Sequence, residues 1–429
     1  MKKIEFECEI ITPMFLAGAD GKTPELRPPS IKGAMRFWWR AMGGHLPSEA
    51  NIFGGSGEKI EQSKVIIIIS KQSIEKSVAD SLWSEIPHIE KTSKAGKKYK
   101  YNGLSYLLYS VLMLNERPYI KDKQTFNVEL RSKNSDALKN AIASFWSLVH
   151  LGGIGTRSRR GGGNIIVTNI VDKNNIIGET NIDFLLKGIN GNEIAEWLIK
   201  NYRIASLAVN KGKDTDFISE YSNLSISRFI ISDHSFKDWK EALNDMGSKF
   251  ALYRTSNKED IFGTAAFGLP RKHIKTNKPK EVNRRSSPLI FKILKVGDKY
   301  YWMALRLAGE FLPERVVLKN NYKSQRPDYS KINEFWNGIK RENIEKVLSI
   351  PDTVKDLKAR IVKELSPSKV VLFGSRARGD FHKDSDTDIA VETDKNIGLS
   401  NIAGSIDLVD LKNIDDDFKK AIEKEGIEI

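Results

Sequence analysis

One short stretch limits the possible folds of this chain more than any other. Residues 374–379 read Gly-Ser-Arg-Ala-Arg-Gly directly behind the apolar run Lys369–Phe373, and Asp-Ser-Asp-Thr-Asp follows at 384–388. Val370, Val371 and Phe373 favour a strand. Gly374 allows a tight turn at its end, and the amides opening the next helix would then point at an anion. Ser375 adds a hydroxyl donor for a phosphate. Asp386 and Asp388 stand two apart, so on a strand over 387–392 they project from one face. Two carboxylates that close repel unless a cation lies between them, and hard oxygen ligands favour magnesium or manganese. A third carboxylate is available from the next expected strand, 406–411, where Asp407 is the first choice and Asp410 the fallback. A glycine turn with a solvated acidic loop is the plainer alternative, and the ordered combination of all three signals speaks against it.

These residues closely resemble the minimal nucleotidyltransferase family of the polymerase-beta-like superfamily, with its Gly-Ser, Asp-x-Asp and third Asp on a neighbouring strand. The resemblance implies that Gly374 and Ser375 hold a nucleoside triphosphate. It implies that Asp386 and Asp388 bind magnesium or manganese, with Asp407 as the third metal-site carboxylate helping to activate the attacking hydroxyl. An RNA end and a protein hydroxyl are both open as acceptors.

Charge divides the chain at the same place. The 429 residues carry 69 Lys and Arg against 55 Asp and Glu, a net of +14. Residues 351–429 hold 13 basic and 17 acidic side chains, which leaves +18 for residues 1–350. A basic body able to hold a polyanion is joined to a small acidic module. The composition, 40% hydrophobic and 29% charged, excludes a disordered or fibrous chain. The longest aliphatic run, 65–69, is far short of the ~20 residues of a membrane span. Lys2 and Lys3 are followed at once by Glu5, Glu7 and Glu9, which leaves no secretory apolar segment. Cys8 is the single cysteine, so an intramolecular disulfide and a multi-cysteine zinc site are excluded. These features lead us to expect a soluble cytoplasmic protein with no membrane partner.

At roughly 150 residues per domain the length allows two to four domains. Ile4, Phe6, Cys8 and Ile10 alternate with glutamates as a half-buried strand requires. Helices are expected over 30–42, capped by Ser30, and over 137–149, with strands at 65–69 and 164–171. Further on, helices are expected at 192–201, 235–247 and 331–348, strands at 225–232, 288–296 and 299–307, and a basic loop at 271–285. An amphipathic helix led by Val354, Leu357, Ile361 and Leu365 follows Pro351. The expected fold is α+β, with units at 1–174, 175–348 and 351–429.

Two stretches of the body carry concentrated positive charge. Lys32, Arg36 and Arg40 are spaced by four on one helix face, while Trp38 and Trp39 read as core. The segment 152–163 reads Gly-Gly-Ile-Gly-Thr-Arg-Ser-Arg-Arg-Gly-Gly-Gly. Its glycines permit close backbone approach, and Arg157, Arg159 and Arg160 can make planar contacts to phosphate. The Lys-Ser/Thr ending of a Walker loop is absent, and single-stranded nucleic acid suits the arginines better than a lone nucleotide. Arg284 and Arg285 are further candidates, with a salt-bridged loop as the competing reading.

These stretches, together with 11–13, Gly18, 27–39, 53–54, 64–69, 267–270, 284–289 and 301–307, are similar to the RAMP superfamily. Within it they resemble the first Cmr subunit of type III-B CRISPR RNA-targeting complexes, over residues 1–345. The resemblance implies two tandem ferredoxin-like (RRM-like) RAMP domains and a role in antiviral defence. It also implies contact with guide RNA and target RNA near the 3′ part of the guide, and with other Cmr subunits, with no cofactor in the RAMP body. Some relatives cleave RNA with histidines, but His45, His88, His150, His234, His273 and His382 form no recognisable acid–base pair in the sequence. A RAMP endoribonuclease is therefore the lesser alternative.

Overall fold

The structure, a computed structural model, describes residues 1–56, 60–70, 76–77, 82, 89–92, 96, 98–112, 118–211, 216–399, 402 and 406–429. Its first sheet comprises β1 (Lys2–Ile10), β2 (Ile66–Ser70), β3 (Thr125–Ser132) and β4 (Ile165–Val171). The spatial order is β4-β1-β3-β2 and every neighbouring pair is antiparallel. Helix α1 (Pro28–Ala41) links β1 to β2, and α2 (Ser135–Leu151) links β3 to β4. The alternation in β1 acts as its period requires: Ile4, Phe6, Cys8 and Ile10 are fully buried, and Phe6 packs on Phe145 of α2 with ring centres 5.0 Å apart. The glutamates between them occupy the other face.

The second sheet repeats this plan. It comprises β5 (Asn223–Ile231), β6 (Leu289–Val296), β7 (Lys299–Ala308) and β8 (Ile344–Ser349), ordered β6-β7-β5-β8 and antiparallel throughout. In both sheets the first strand in sequence sits between the third and the fourth. Helix α3 (Gly191–Val209) precedes β5 and packs against α2. Helices α4 (Trp239–Ser256) and α5 (Ser330–Lys340) occupy the two crossover positions. The body therefore consists of two tandem ferredoxin-like units.

Three local expectations need correction. The helix expected over 331–348 ends at Lys340, and 344–349 is the edge strand β8. Ile344, Val347 and Leu348 have helical spacing, but the open edge of β5 supplies backbone partners that the local pattern does not reveal. Arg27 rather than Ser30 precedes α1, because Pro28 and Pro29 suit its first turn. The stretch 271–285 contains a strand: Lys275–Thr276 pairs with Leu318–Lys319, which pairs with Ser324–Gln325.

The C-terminal unit is a mixed sheet of β9 (Lys369–Phe373), β10 (Thr387–Glu392), β11 (Ile406–Asp410) and β12 (Ile427–Glu428), ordered β11-β10-β9-β12. β10 and β11 run parallel, and the other pairs run antiparallel. Helices α6 (Asp352–Leu365), α7 (Gly374–Arg378) and α8 (Asp416–Glu425) complete it. Its main core joins that of the body, since Ile226 and Ala308 pack in one cluster with Leu372, Phe381 and Ile389. Among the described residues no helix is long and apolar enough to cross a membrane.

Candidate functional site

In the C-terminal unit, the site starts where β9 stops. Gly374 takes φ +69°, and a Cβ there would lie 1.9 Å from Asp388 Oδ2. Glycine is thus needed both for the turn and for room beside the carboxylate. The α7 turn is tied to the acidic loop by Arg376, which donates to the Ser385 carbonyl at 2.6 and 3.1 Å. Sheet register sets Asp388 beside Phe373 on one side and Asp407 on the other. Burial raises the Asp388 carboxyl above its ordinary pKa, and the negative charges of Asp407 and Asp386 raise it further. A cleft of about 480 Å³ opens here, walled by Gly374, Ser375, Asp386, Asp388, Arg378 and Phe418. Asp407 stands beside Asp388 and outside that wall. Asp410 is used elsewhere, accepting from Asn413 at 2.6 Å and from the Lys412 amide at 3.0 Å.

A divalent cation suits this donor set: hard oxygens, mutual repulsion at Asp388, and an open cleft large enough for phosphates. Among the described residues no three His, Cys, Asp or Glu side chains form a ready cage. A magnesium ion held here would complete its shell with phosphate oxygens and water, its usual habit.

In the body, the basic face of α1 has internal partners. Arg36 lies 2.5 Å and Arg40 3.1 Å from Glu49, whose side chain is nearly buried. Arg36 also donates to the Gly54 carbonyl at 3.2 Å, and Lys32 to Ser63 Oγ at 3.0 Å. Trp38 and Trp39 are 3% and 1% exposed and belong to the core.

The glycine–arginine loop lies at the seam between the two ferredoxin-like units. Gly163 closes it at φ +62°, where a Cβ would stand 1.9 Å from the Ile154 carbonyl oxygen. Arg159 donates to the Ser287 carbonyl at 2.7 Å and lies over the Phe37 ring. Arg160 donates to the carbonyls of Leu289 at 2.8 Å and Phe267 at 3.2 Å, between the rings of Phe250 and Phe291. Separate sequence motifs, 267–270 and 284–289, thus supply the acceptors of this loop. Arg157, at φ +65°, donates to Ser110 Oγ at 2.7 Å. Burial lowers the Arg159 pKa to about 10. It lowers Arg160 to about 9, helped by the positive charges of Arg157, Arg159 and Arg254. Among the described residues the three guanidiniums donate to carbonyls and a hydroxyl, with no carboxylate among them. Arg284 is exposed, whereas Arg285 is occupied by the carbonyls of Phe311 at 2.5 Å and Glu310 at 2.9 Å.

The sequence reading missed Arg254 and Tyr106. They carry no motif, and only the fold brings the last turn of α4 and the helix at 103–107 to the loop. It also missed Glu49, an isolated acid in a short helix. His88 lies outside the described residues. His234 and His382 each face a carboxylate, Asp233 at 2.5 Å and Glu310 at 2.6 Å, and the second pair joins the body to the C-terminal unit.

Two family models match the chain, the RAMP superfamily over residues 7–166 and the nucleotidyltransferase domain over residues 355–428. CRISPR system Cmr subunit Cmr1-1 of Pyrococcus furiosus is 26% identical over 316 residues, spanning 72% of this chain and 89% of that protein. Cmr subunit Cmr1-2 of the same organism is 30% identical over 186 residues, spanning 38% of this chain and 93% of that protein. The apo crystal structure of Cmr1 from Pyrococcus furiosus aligns over 82% of this chain and 99% of its own, with a TM-score of 0.56 at 22% identity. That likeness is one of fold.

Proposed function

The chain belongs to the Cmr1 family of RAMP proteins and carries a nucleotidyltransferase domain behind it, and from this we propose that its body holds RNA within a Cmr-type CRISPR effector used in antiviral defence. One observation carries the reading: among the described residues the positive charge of the interdomain loop has no carboxylate partner. Arginines desolvated at a seam and satisfied only by neutral acceptors retain their full charge for a polyanion. Guide RNA and target RNA are the polyanions that such a subunit would meet, near the 3′ part of the guide, and neighbouring Cmr subunits would flank it. In this reading Arg157 and Arg284 reach toward phosphate. Arg159, Arg160 and Arg285 shape the loops that present them, while Lys32, Arg36 and Arg40 supply positive field from α1. In fluorescence anisotropy, a labelled single-stranded RNA should bind the full chain, with affinity falling steeply as salt rises. Arg157→Ala should weaken binding severalfold and flatten the salt dependence. Absence of binding by the unaltered chain at low salt would end this reading.

A second reading is favoured by the geometry around Asp388. The cleft of the C-terminal unit would take a nucleoside triphosphate, with Gly374 and Ser375 at the phosphates and Asp386, Asp388 and Asp407 as the acidic set. A magnesium or manganese ion bound there would neutralise phosphate charge during nucleotidyl transfer. Ser375 can donate a hydrogen bond to a phosphate oxygen, and Asp407 is the carboxylate available to accept a proton from an attacking hydroxyl. Incubation with labelled ATP, magnesium and either RNA or co-purified protein should label one of them. Asp386→Asn with Asp388→Asn should abolish the label, and labelling that persists would reject this site.

A further inference from the structure

Half of the body's net charge sits on one small insertion in the second ferredoxin-like unit. Residues 270–285 and 313–326 hold 11 Lys and Arg against only Glu281 and Glu314. They fold together through the three short strands Lys275–Thr276, Leu318–Lys319 and Ser324–Gln325. The register sets Lys275 directly opposite Lys319. Like charges facing each other across an antiparallel pair destabilise it unless an anion lies between them.

Six of these cations differ sharply in their partners. Lys278 pairs with Glu281 at 3.2 Å, Arg326 pairs with Glu310 at 3.0 Å, and Arg285 is spent on backbone carbonyls, so these shape the insertion. Among the described residues, Lys272, Lys275 and Lys319 have no ion pair or side-chain hydrogen bond, and all three are exposed. They line a depression of about 920 Å³, together with Arg271 and Tyr322. Tyr322 is 95% exposed.

The chemistry of this wall selects its ligand. The centre of a protein–protein interface is depleted in lysine, whereas three lysines line this depression. Unpaired lysines beside an open aromatic ring match the recurring design of single-strand binding surfaces, in which cations follow the backbone and a ring stacks on a base. Arg271 also extends the charge inward, because Arg254 and then Arg160 of the glycine–arginine loop are its neighbours in the field.

We propose that this insertion is a second contact surface for single-stranded RNA, with Lys272, Lys275 and Lys319 on phosphates and Tyr322 stacked on a base. The proposal rests on the RNA-holding reading of the body and adds a site well apart in sequence from the loop at 152–163.

The test uses the full chain and a labelled single-stranded uridine oligonucleotide, read by anisotropy across a salt series. Lys275→Gln with Lys319→Gln should weaken binding tenfold or more and reduce the log–log salt slope by about 1.4, the value for two phosphates of a single strand. The melting temperature should stay level or rise, since the facing charges are gone. Tyr322→Ala should weaken binding by about fivefold or more with the slope unchanged, as loss of stacking requires. If both variants bind like the unaltered chain, the proposal is overturned while the RNA-holding reading stands. If the unaltered chain does not bind RNA, both fall. Intact RNA affinity with lost assembly into the complex would make the insertion a protein-docking surface and would also overturn the proposal.

Discussion

Gly374 and Lys292 show how much can depend on one residue. Replacing Gly374 with Ala forces a side chain into left-handed backbone and into Asp388 Oδ2. The expected cost is about 1–2 kcal/mol of stability, with loss of any nucleotide binding at the cleft, readable by thermal shift with and without ATP and magnesium. Lys292 is buried at the seam and donates to the Gly152 carbonyl at 2.8 Å, and burial pulls its pKa down to about 7. Unfolded, the same amine keeps its proton to about pH 10.4. Between these values the unfolded chain binds more protons, so this residue makes stability rise with pH across roughly 7 to 10. Lys292→Met should therefore be more stable than the parent at pH 6, on the order of 2 kcal/mol, and should lose that advantage by pH 10. Chemical denaturation at both pH values measures the difference. Nothing in the local sequence marks Lys292 as buried: Phe-Lys-Ile reads as an ordinary alternating strand, and the glycine loop and α2 packed against it remove it from water.

At the scale of elements, charge was the least legible property. Lys32, Arg36 and Arg40 do share a face of α1, as their spacing implies, but the helix at Glu49–Phe53 turns back and places Glu49 between the two arginines. The basic stripe is thereby an internal clamp as well as a surface. Glu49→Ala should lower stability by about 1–3 kcal/mol, because two partly buried guanidiniums lose their common acceptor. Denaturant midpoints measure this, with Glu49→Gln recovering part of the loss. Apolar periodicity was legible wherever an element carried one buried stripe, as in β1, α2 and α6. It misled at β8, where helical spacing coincided with the free edge of β5. Boundaries of α3 and α4 ran past the expected ends because their last turns are held by tertiary packing, which propensity does not register.

Across the whole molecule, the C-terminal unit is seated on the second ferredoxin-like unit beside its own glycine turn. Gly309 donates to the Gly379 carbonyl at 2.8 Å, and the Tyr329 amide donates to Asp380 at 2.8 Å. Arg306, buried in β7, donates to the Arg378 carbonyl and to Asn333. Arg306→Leu should leave both units folded while loosening this seat, seen as faster amide exchange over 369–392 with little change in β1–β4. Unchanged exchange there would mean that the shared apolar cluster around Ala308 and Phe381 alone holds the two together. The sequence by itself determined the two kinds of unit, because turn glycines, paired aspartates, apolar periods and the split of charge are local properties of the chain. It also determined the family. Only the tertiary structure decided which charges are free. Whether a lysine or arginine meets a carboxylate, a carbonyl or water depends on residues distant in sequence, as Glu49, Ser287 and Phe267 show. The unpaired cations of the 270–285 and 313–326 insertion became visible only once those pairings were known.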